Sequence, residues 1–254
     1  SFYISPDRGS YYCFGCGAKG DIFSFVEQFE GLDFRGALKV LAERAGVKLV
    51  ANDRTNDERD KLFEIMEEAT KYFENEYVKS KEAQAYVESR RIKDETRKSF
   101  RISWAPLGWN NVHNYLKGKG YSDILLEKAG LIKKKDNSDN ANSPSSYYDR
   151  FRGRVMFPIT DTSGRVIAFS GRILKDDGQS AKYLNSPDTP LYDKSAILFG
   201  LDKAKTEIRR LNYSILVEGQ MDLVMSHQAG IKNTVASSGT ALSDEGVNKE
   251  GIIN

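Results

Sequence analysis

Apolar positions along the chain follow two periods, and each predicts its own elements. Helical spacing comes first: Ile22, Val26 and Phe29 recur on one face, with Asp21 placed to cap the helix and Gly31 to end it. A second helix is expected over 34–45, with Asp33 as N-cap, Leu38 and Leu41 inward and Gly46 as the stop. Both apolar faces read as core. Residues 51–60 are polar and charged with no apolar period, and read as a linker. Leu62, Ile65, Met66, Ala69 and Phe73 then predict a helix over about 58–77, followed by one over 81–90 and short ones near 112–117 and 122–129.

Strand-like runs dominate the second half. Residues 154–159 and 165–170 read as strands joined by the turn Asp161-Thr162-Ser163-Gly164. The segment 136–146 is rich in Asn, Asp and Ser, a surface loop inserted between two strands. A helix over 202–210 precedes Ile215, Leu216 and Val217, a short apolar run that reads as a parallel strand buried on both faces. Gly219 is expected to allow a sharp turn into a helix over 220–228, and 234–237 should be the next parallel strand. Trp104 and Trp109 flank a loop and read as core anchors more than as base-stacking groups. Helices and strands mixed in this order predict an α+β fold.

Composition narrows the class. The chain has 254 residues, 39% hydrophobic and 29% charged, which fits a soluble protein of more than one domain. It has neither a membrane-length apolar run nor a secretory leader, and its two cysteines lie too close for a disulfide scaffold, so a cytoplasmic location is expected. It opens on Ser1 and reads as a piece of something longer. A net charge of +2 says little, but residues 150–194 carry eight cations against five acids. Arg150, Arg152 and Arg154 alternate with Phe151, Gly153 and Val155, so a strand would place all three on one face. That face is either a phosphate-binding stripe or a solvated surface. The basic run 90–93 closes a helix, where cations suit the dipole.

Two motifs carry candidate chemistry. Cys13-Phe14-Gly15-Cys16-Gly17 has the spacing of half a tetrahedral zinc site; a redox pair and two free thiols are the other readings. Glu218 sits where an apolar strand ends, the edge at which ligands and metals gather in open α/β sheets, and Asp222 follows four residues later. An ordinary strand–turn–helix with a solvated acid explains the same letters equally well.

Longer stretches carry a resemblance. Residues 1–6, 12–17 and 20–26 resemble the second half of the zinc-ribbon domain of bacterial DnaG-type DNA primases. Residues 149–159, 169–172 and 182–189 resemble the polymerase core of the same family. Residues 214–222 resemble the first motif of its Toprim domain, and Gly239-Thr240-Ala241-Leu242 a loop beside the catalytic acids. The resemblance implies a partial zinc ribbon with helices at 1–50, a linker at 51–60, an α+β primase core at 61–210 and the start of an α/β Toprim segment at 211–254. It implies that Cys13 and Cys16 are the last two of four Zn²⁺ ligands, and that 2–4 and 11–14 are ribbon strands.

It further implies that Arg152, Arg154, Arg172, Lys182, Tyr183, Asn185, Lys194, Gly239 and Thr240 handle template or nucleotide. Glu218 would hold Mg²⁺ or Mn²⁺ or help move a proton, and Asp222 would orient the site. The implied activity is DNA-templated synthesis of short RNA primers from ribonucleoside triphosphates on single-stranded DNA. A replicative helicase is the expected partner of an intact family member, and no membrane is involved. The family's downstream Asp-x-Asp is absent after Glu218. The chain is therefore expected to be truncated at both ends and inactive alone in primer synthesis. The alternative is a non-catalytic, primase-like module that binds single-stranded DNA.

Overall fold

The computed structural model describes residues 2–32, 34–47, 54–135, 146–174, 178 and 180–237. The chain divides into two compact units, the first running to Arg54 and the second beginning at Thr55.

The first unit is a three-stranded antiparallel ribbon followed by two helices. Strands β1 (Phe2–Ser5), β2 (Ser10–Cys13) and β3 (Lys19–Asp21) pair in that order. Asp21 ends β3 and caps helix α1 (Ile22–Glu30): its Oδ1 accepts from the Ser24 amide at 2.8 Å, which also lowers the carboxyl pKa. Gly31, at φ 65°, closes the helix in the left-handed conformation. Tyr11 is buried, stacked on Phe2 and edge-on to Phe25. Of the three positions expected to face the core, Val26 is buried, but Ile22 and Phe29 are exposed, because Phe25 is the residue that meets the sheet. Helix α2 (Phe34–Ala45) buries Ala37 and Ala42, with Leu38 and Leu41 half-buried. The expected cap at Asp33 lies outside the described residues.

In the second unit, helix α3 (Arg54–Lys79) starts four residues before the expected position. Residues 54–60 are therefore helical rather than linker, and 51–53 lie outside the described residues. Asp57 in the first turn pairs with Lys61 one turn on, so the polar stretch continues into a helix whose residues 57–60 are mostly exposed. Leu62, Ile65, Met66, Ala69 and Phe73 are all buried, as their spacing predicts. Helices α4 (Lys81–Ser89), α5 (Asp94–Ser99), α6 (Asn111–Gly118) and α7 (Asp123–Lys128) follow, with strand β4 (Ser103–Ala105) between α5 and α6.

Strands β5 (Ile132–Lys134) and β6 (Tyr147–Asp149) pair antiparallel around the inserted loop, whose residues 136–145 lie outside the described set. Strands β7 (Arg154–Thr160), β8 (Val166–Ile173) and β9 (Tyr183–Asn185) complete a four-stranded antiparallel sheet, order β4-β7-β8-β9. Phe73 of α3 meets Phe169 of β8 edge-on at 5.4 Å, and Phe151 and Phe157 are buried with them.

Helix α8 (Leu201–Leu211) leads into strand β10 (Ile215–Val217), helix α9 (Gln220–Gln228) and strand β11 (Thr234–Ala236). The two strands pair in parallel, as expected, and Phe199 exchanges backbone hydrogen bonds with Ala236. Ile215 and Leu216 are exposed, against the expectation of a strand covered on both faces. Among the described residues β10 pairs only with β11, so one edge and much of its apolar surface have no cover.

Candidate active-site cleft and aromatic face

Three remote stretches of the second unit meet in a cleft of about 420 Å³. The carboxyl end of β10 brings Glu218 and Gly219, and the first turn of α9 brings Gln220, Met221 and Asp222. Arg172 comes from β8, Lys182 from just before β9, Tyr183 from its first position, and Arg90 from the cap position after α4. Arg172 pairs with Tyr183 across the β8–β9 ladder, and its Nη1 donates to the tyrosine oxygen at 2.7 Å. Its guanidinium also lies 5.5 Å from the ring of Tyr86, and Arg90 lies 5.3 Å from the same ring. One aromatic ring thus holds two cations that would otherwise repel.

The acids are positioned from below. Gln220 is buried and its Nε2 donates to the buried Ser170 Oγ at 2.9 Å, joining the Glu218 turn to the strand that carries Arg172. Gly219 does not make the expected sharp turn. Its φ of −117° is ordinary extended backbone, and a Cβ there would lie 3.2 Å from Asp222 Oδ2, so the glycine leaves room for that carboxylate. Glu218 and Asp222 are both exposed to the cleft. They are hard oxygen donors of the kind that bind Mg²⁺ or Mn²⁺. Among the described residues no third acid or histidine joins them.

The arginines of 150–154 do not share a strand face. The strand begins only at Arg154, and the three side chains go to different places. Arg154 is 7% exposed, and its Nη1 donates to the carbonyls of Gly171 and Ala181 at 3.0 Å each. It is a structural tie under the sheet. Arg150 donates to the Asn185 carbonyl at 3.0 Å, and burial lowers its pKa. Arg152 turns outward: its guanidinium lies 4.2 Å from the Trp109 ring and 5.2 Å from Tyr148, and it donates to the Asp149 carbonyl.

Trp109 itself corrects an expectation. Trp104 lies in β4 and is 6% exposed, a core anchor, but Trp109 is 61% exposed. The loop is pinned by Asp149, whose amide donates to the Trp109 carbonyl at 2.7 Å. The Asp149 carboxyl accepts from the amides of Val112 and His113 at 3.0 Å each and so caps α6 from β6. Burial pushes its pKa up to about 6, against the pull of those amides.

Lys194 is not among the residues lining the cleft; its amide donates to Asp188 Oδ1 in the loop after β9. Gly239 and Thr240 lie outside the described residues. Arg90, Gln220 and Trp109 were missed as site residues. A basic residue at a helix end already has an electrostatic explanation, so Arg90 gave no separate signal.

In the first unit, Cys13 and Cys16 form the expected knuckle. The Gly17 amide donates to the Cys13 carbonyl at 2.8 Å, and Gly17 adopts φ 76°. The Cys16 amide and side chain, with the Gly15 amide, direct hydrogen bonds at the Cys13 sulfur and lower its pKa. Two soft donors gathered in this way fit half of a zinc site.

Comparison with known proteins bears on the chain stretch by stretch. The family model described as CHC2 zinc finger matches residues 1–57, DNA primase catalytic core, N-terminal domain, matches 72–205, and Toprim domain matches 212–252. These define a class of protein in which a zinc finger, a primase core and a Toprim segment follow one another. The chain belongs to the DnaG-type DNA primase family.

It is 42% identical over 245 residues to the DNA primase of Deinococcus radiodurans, covering 96% of this chain and 41% of that protein. The zinc-binding and RNA polymerase domains of Aquifex aeolicus primase superpose with a TM-score of 0.67 at 35% identity, covering 98% of this chain and 59% of that one. A DnaG primase catalytic domain bound to single-stranded DNA gives 0.65 at 36% identity, covering 76% and 58%. The chain thus spans about two fifths of the length of the curated relative it matches. Among the described residues no helix is long and apolar enough to cross a membrane.

Proposed function

We propose that this chain works in DNA-templated synthesis of RNA primers, supplying the template surface and part of the nucleotide site. The observation that carries the reading is the cleft that unites Glu218 and Asp222 with Arg90, Arg172 and Lys182. Acids beside convergent cations suit a metal-bound triphosphate, and phosphoryl transfer depends chiefly on positioning and charge neutralisation. Arg172 and Lys182 hold phosphate oxygens, Tyr183 orients Arg172, Glu218 holds Mg²⁺ or Mn²⁺, and Asp222 orients the site. Bound divalent ions supply charge stabilisation at the attacking and leaving oxygens. The exposed Trp109 with Arg152 on its face offers a base a stacking surface, which supports single-stranded DNA as the template. Cys13 and Cys16 hold Zn²⁺ together with donors beyond this pair, and the ribbon selects template.

A fluorescent ribonucleoside triphosphate titrated with Mn²⁺ tests the cleft. Arg172→Ala and Lys182→Ala should each weaken binding by about tenfold, the loss of a charge-assisted contact. Glu218→Gln should remove most of the Mn²⁺ dependence. Unchanged affinity in all three, with folding intact by circular dichroism, would overturn the assignment.

A further inference from the structure

The β5–β6 hairpin carries a cation that belongs to none of the basic motifs between 150 and 194. Lys133 is exposed and lies directly opposite Tyr148 in the antiparallel register. Directly opposed residues share a face, with Cβ atoms about 4.5–5.5 Å apart. Tyr148 in turn meets Trp109 edge-on at 5.9 Å and lies 5.2 Å from the Arg152 guanidinium. Trp109, Arg152 and Tyr148 therefore form one cluster, and Lys133 stands on the same face, opposite Tyr148. Among the described residues Lys133 has no ion pair. Lys134, its neighbour, projects from the opposite face, paired with Tyr147, whose ring lies 6.2 Å from the buried His113.

We propose that the Lys133 face of the hairpin is an outer contact for the single-stranded template, in which Lys133 neutralises a backbone phosphate beside a base stacked on the exposed ring of Trp109. An aromatic surface accepts any base, and a lysine reads charge rather than sequence, so this contact adds affinity without base preference. Arg150, which separates Tyr148 from Arg152 by one residue on each side in sequence, holds the Asn185 carbonyl on β9, the strand of Tyr183. The inference rests on the template-binding reading above and extends the path by one strand.

The register supplies its own control, since Lys133 and Lys134 are adjacent in sequence and opposite in direction. Binding of a labelled oligothymidylate to the 254-residue chain is measured by anisotropy over a salt series. Each phosphate neutralised on a single strand contributes about 0.7 to the slope of log K against log salt. Lys133→Ala should reduce the slope by about that amount and weaken binding about fivefold at low salt. Lys134→Ala should do neither. Equal effects of the two substitutions, or none from either, would overturn the hairpin contact while leaving the template reading intact, provided Arg152→Ala still weakens binding. Absence of binding by the unsubstituted chain would overturn both.

Discussion

Gln220 donates a 2.9 Å hydrogen bond to Ser170 across 50 positions of sequence, and both side chains are buried, at 3% and 0% exposure. This bond sets where Glu218 stands relative to Arg172, because each partner is two residues from one of them. Gln220→Leu leaves the hydroxyl without its donor, and Ser170→Ala leaves the amide without its acceptor. Each should destabilise the protein by about 1–2 kcal/mol in urea unfolding. The double variant should fall short of the sum by about 1 kcal/mol, since one bond is lost twice. Strict additivity would mean that the two groups do not couple.

Arg152 and Arg154 look equivalent in sequence and should behave as opposites. Arg154→Met strips the Gly171 and Ala181 carbonyls of a buried charged donor and should cost about 2–3 kcal/mol of stability. Arg152→Ala removes an outward cation–π contact and a partly exposed hydrogen bond to the Asp149 carbonyl, and should cost less, about 1 kcal/mol, while weakening single-stranded DNA binding. Urea unfolding and anisotropy on the same two variants separate the roles. A loss of stability in Arg152→Ala as large as that in Arg154→Met would contradict the split.

That split also shows what could be read from the letters alone. The α3 face, the β7–β8 hairpin, the parallel pairing of β10 with β11 and the Cys13–Cys16 knuckle were legible because each follows from local spacing. The clustering of Glu218, Arg172 and Lys182 was legible only through resemblance, since contacts between such distant residues leave no period. Arg154 misled because alternation predicts a shared face only inside a strand, and the strand starts at Arg154 itself. Trp109 misled because apolar bulk is the same signal for a core anchor and an exposed stacking ring. Arg90 was hidden behind a sufficient local explanation, and residues 57–60 lack an apolar face because that part of α3 is mostly exposed.

Gly200 caps α8 at φ 81°, and a Cβ there would lie 2.6 Å from Leu223 Cδ2 of α9. Both the left-handed backbone and the close approach require glycine. Gly200→Ala should destabilise by about 2–4 kcal/mol, combining backbone strain with overpacking. Leu223 is fully buried, so Leu223→Ala alone should cost about 2–5 kcal/mol, and the comparison is made within that background. There Gly200→Ala should lose its steric share and keep its backbone share; no cost at all in urea unfolding would show that the backbone conformation carries no strain.

Asp149 makes stability depend on pH in a direction opposite to most carboxylates. Its pKa rises from 3.8 to about 6 because burial disfavours the charged form. The folded state therefore holds the proton more tightly than the unfolded chain. The stability that this provides is complete below the unfolded value and is lost as pH rises through the folded one. The shift corresponds to about 3 kcal/mol across that window. Asp94, Asp123 and Glu68 act in the other sense, since their partners hold them charged and lower their pKa values. A comparison with Asp149→Asn isolates the effect, because the amide keeps one acceptor for the α6 amides and does not titrate in this range. Unfolding free energies of both proteins at about pH 4 and about pH 7 should show the unsubstituted protein losing ground to the variant as pH rises. A constant difference between the two would mean that the Asp149 carboxyl titrates near its ordinary value and that the amides of Val112 and His113 fully offset its burial.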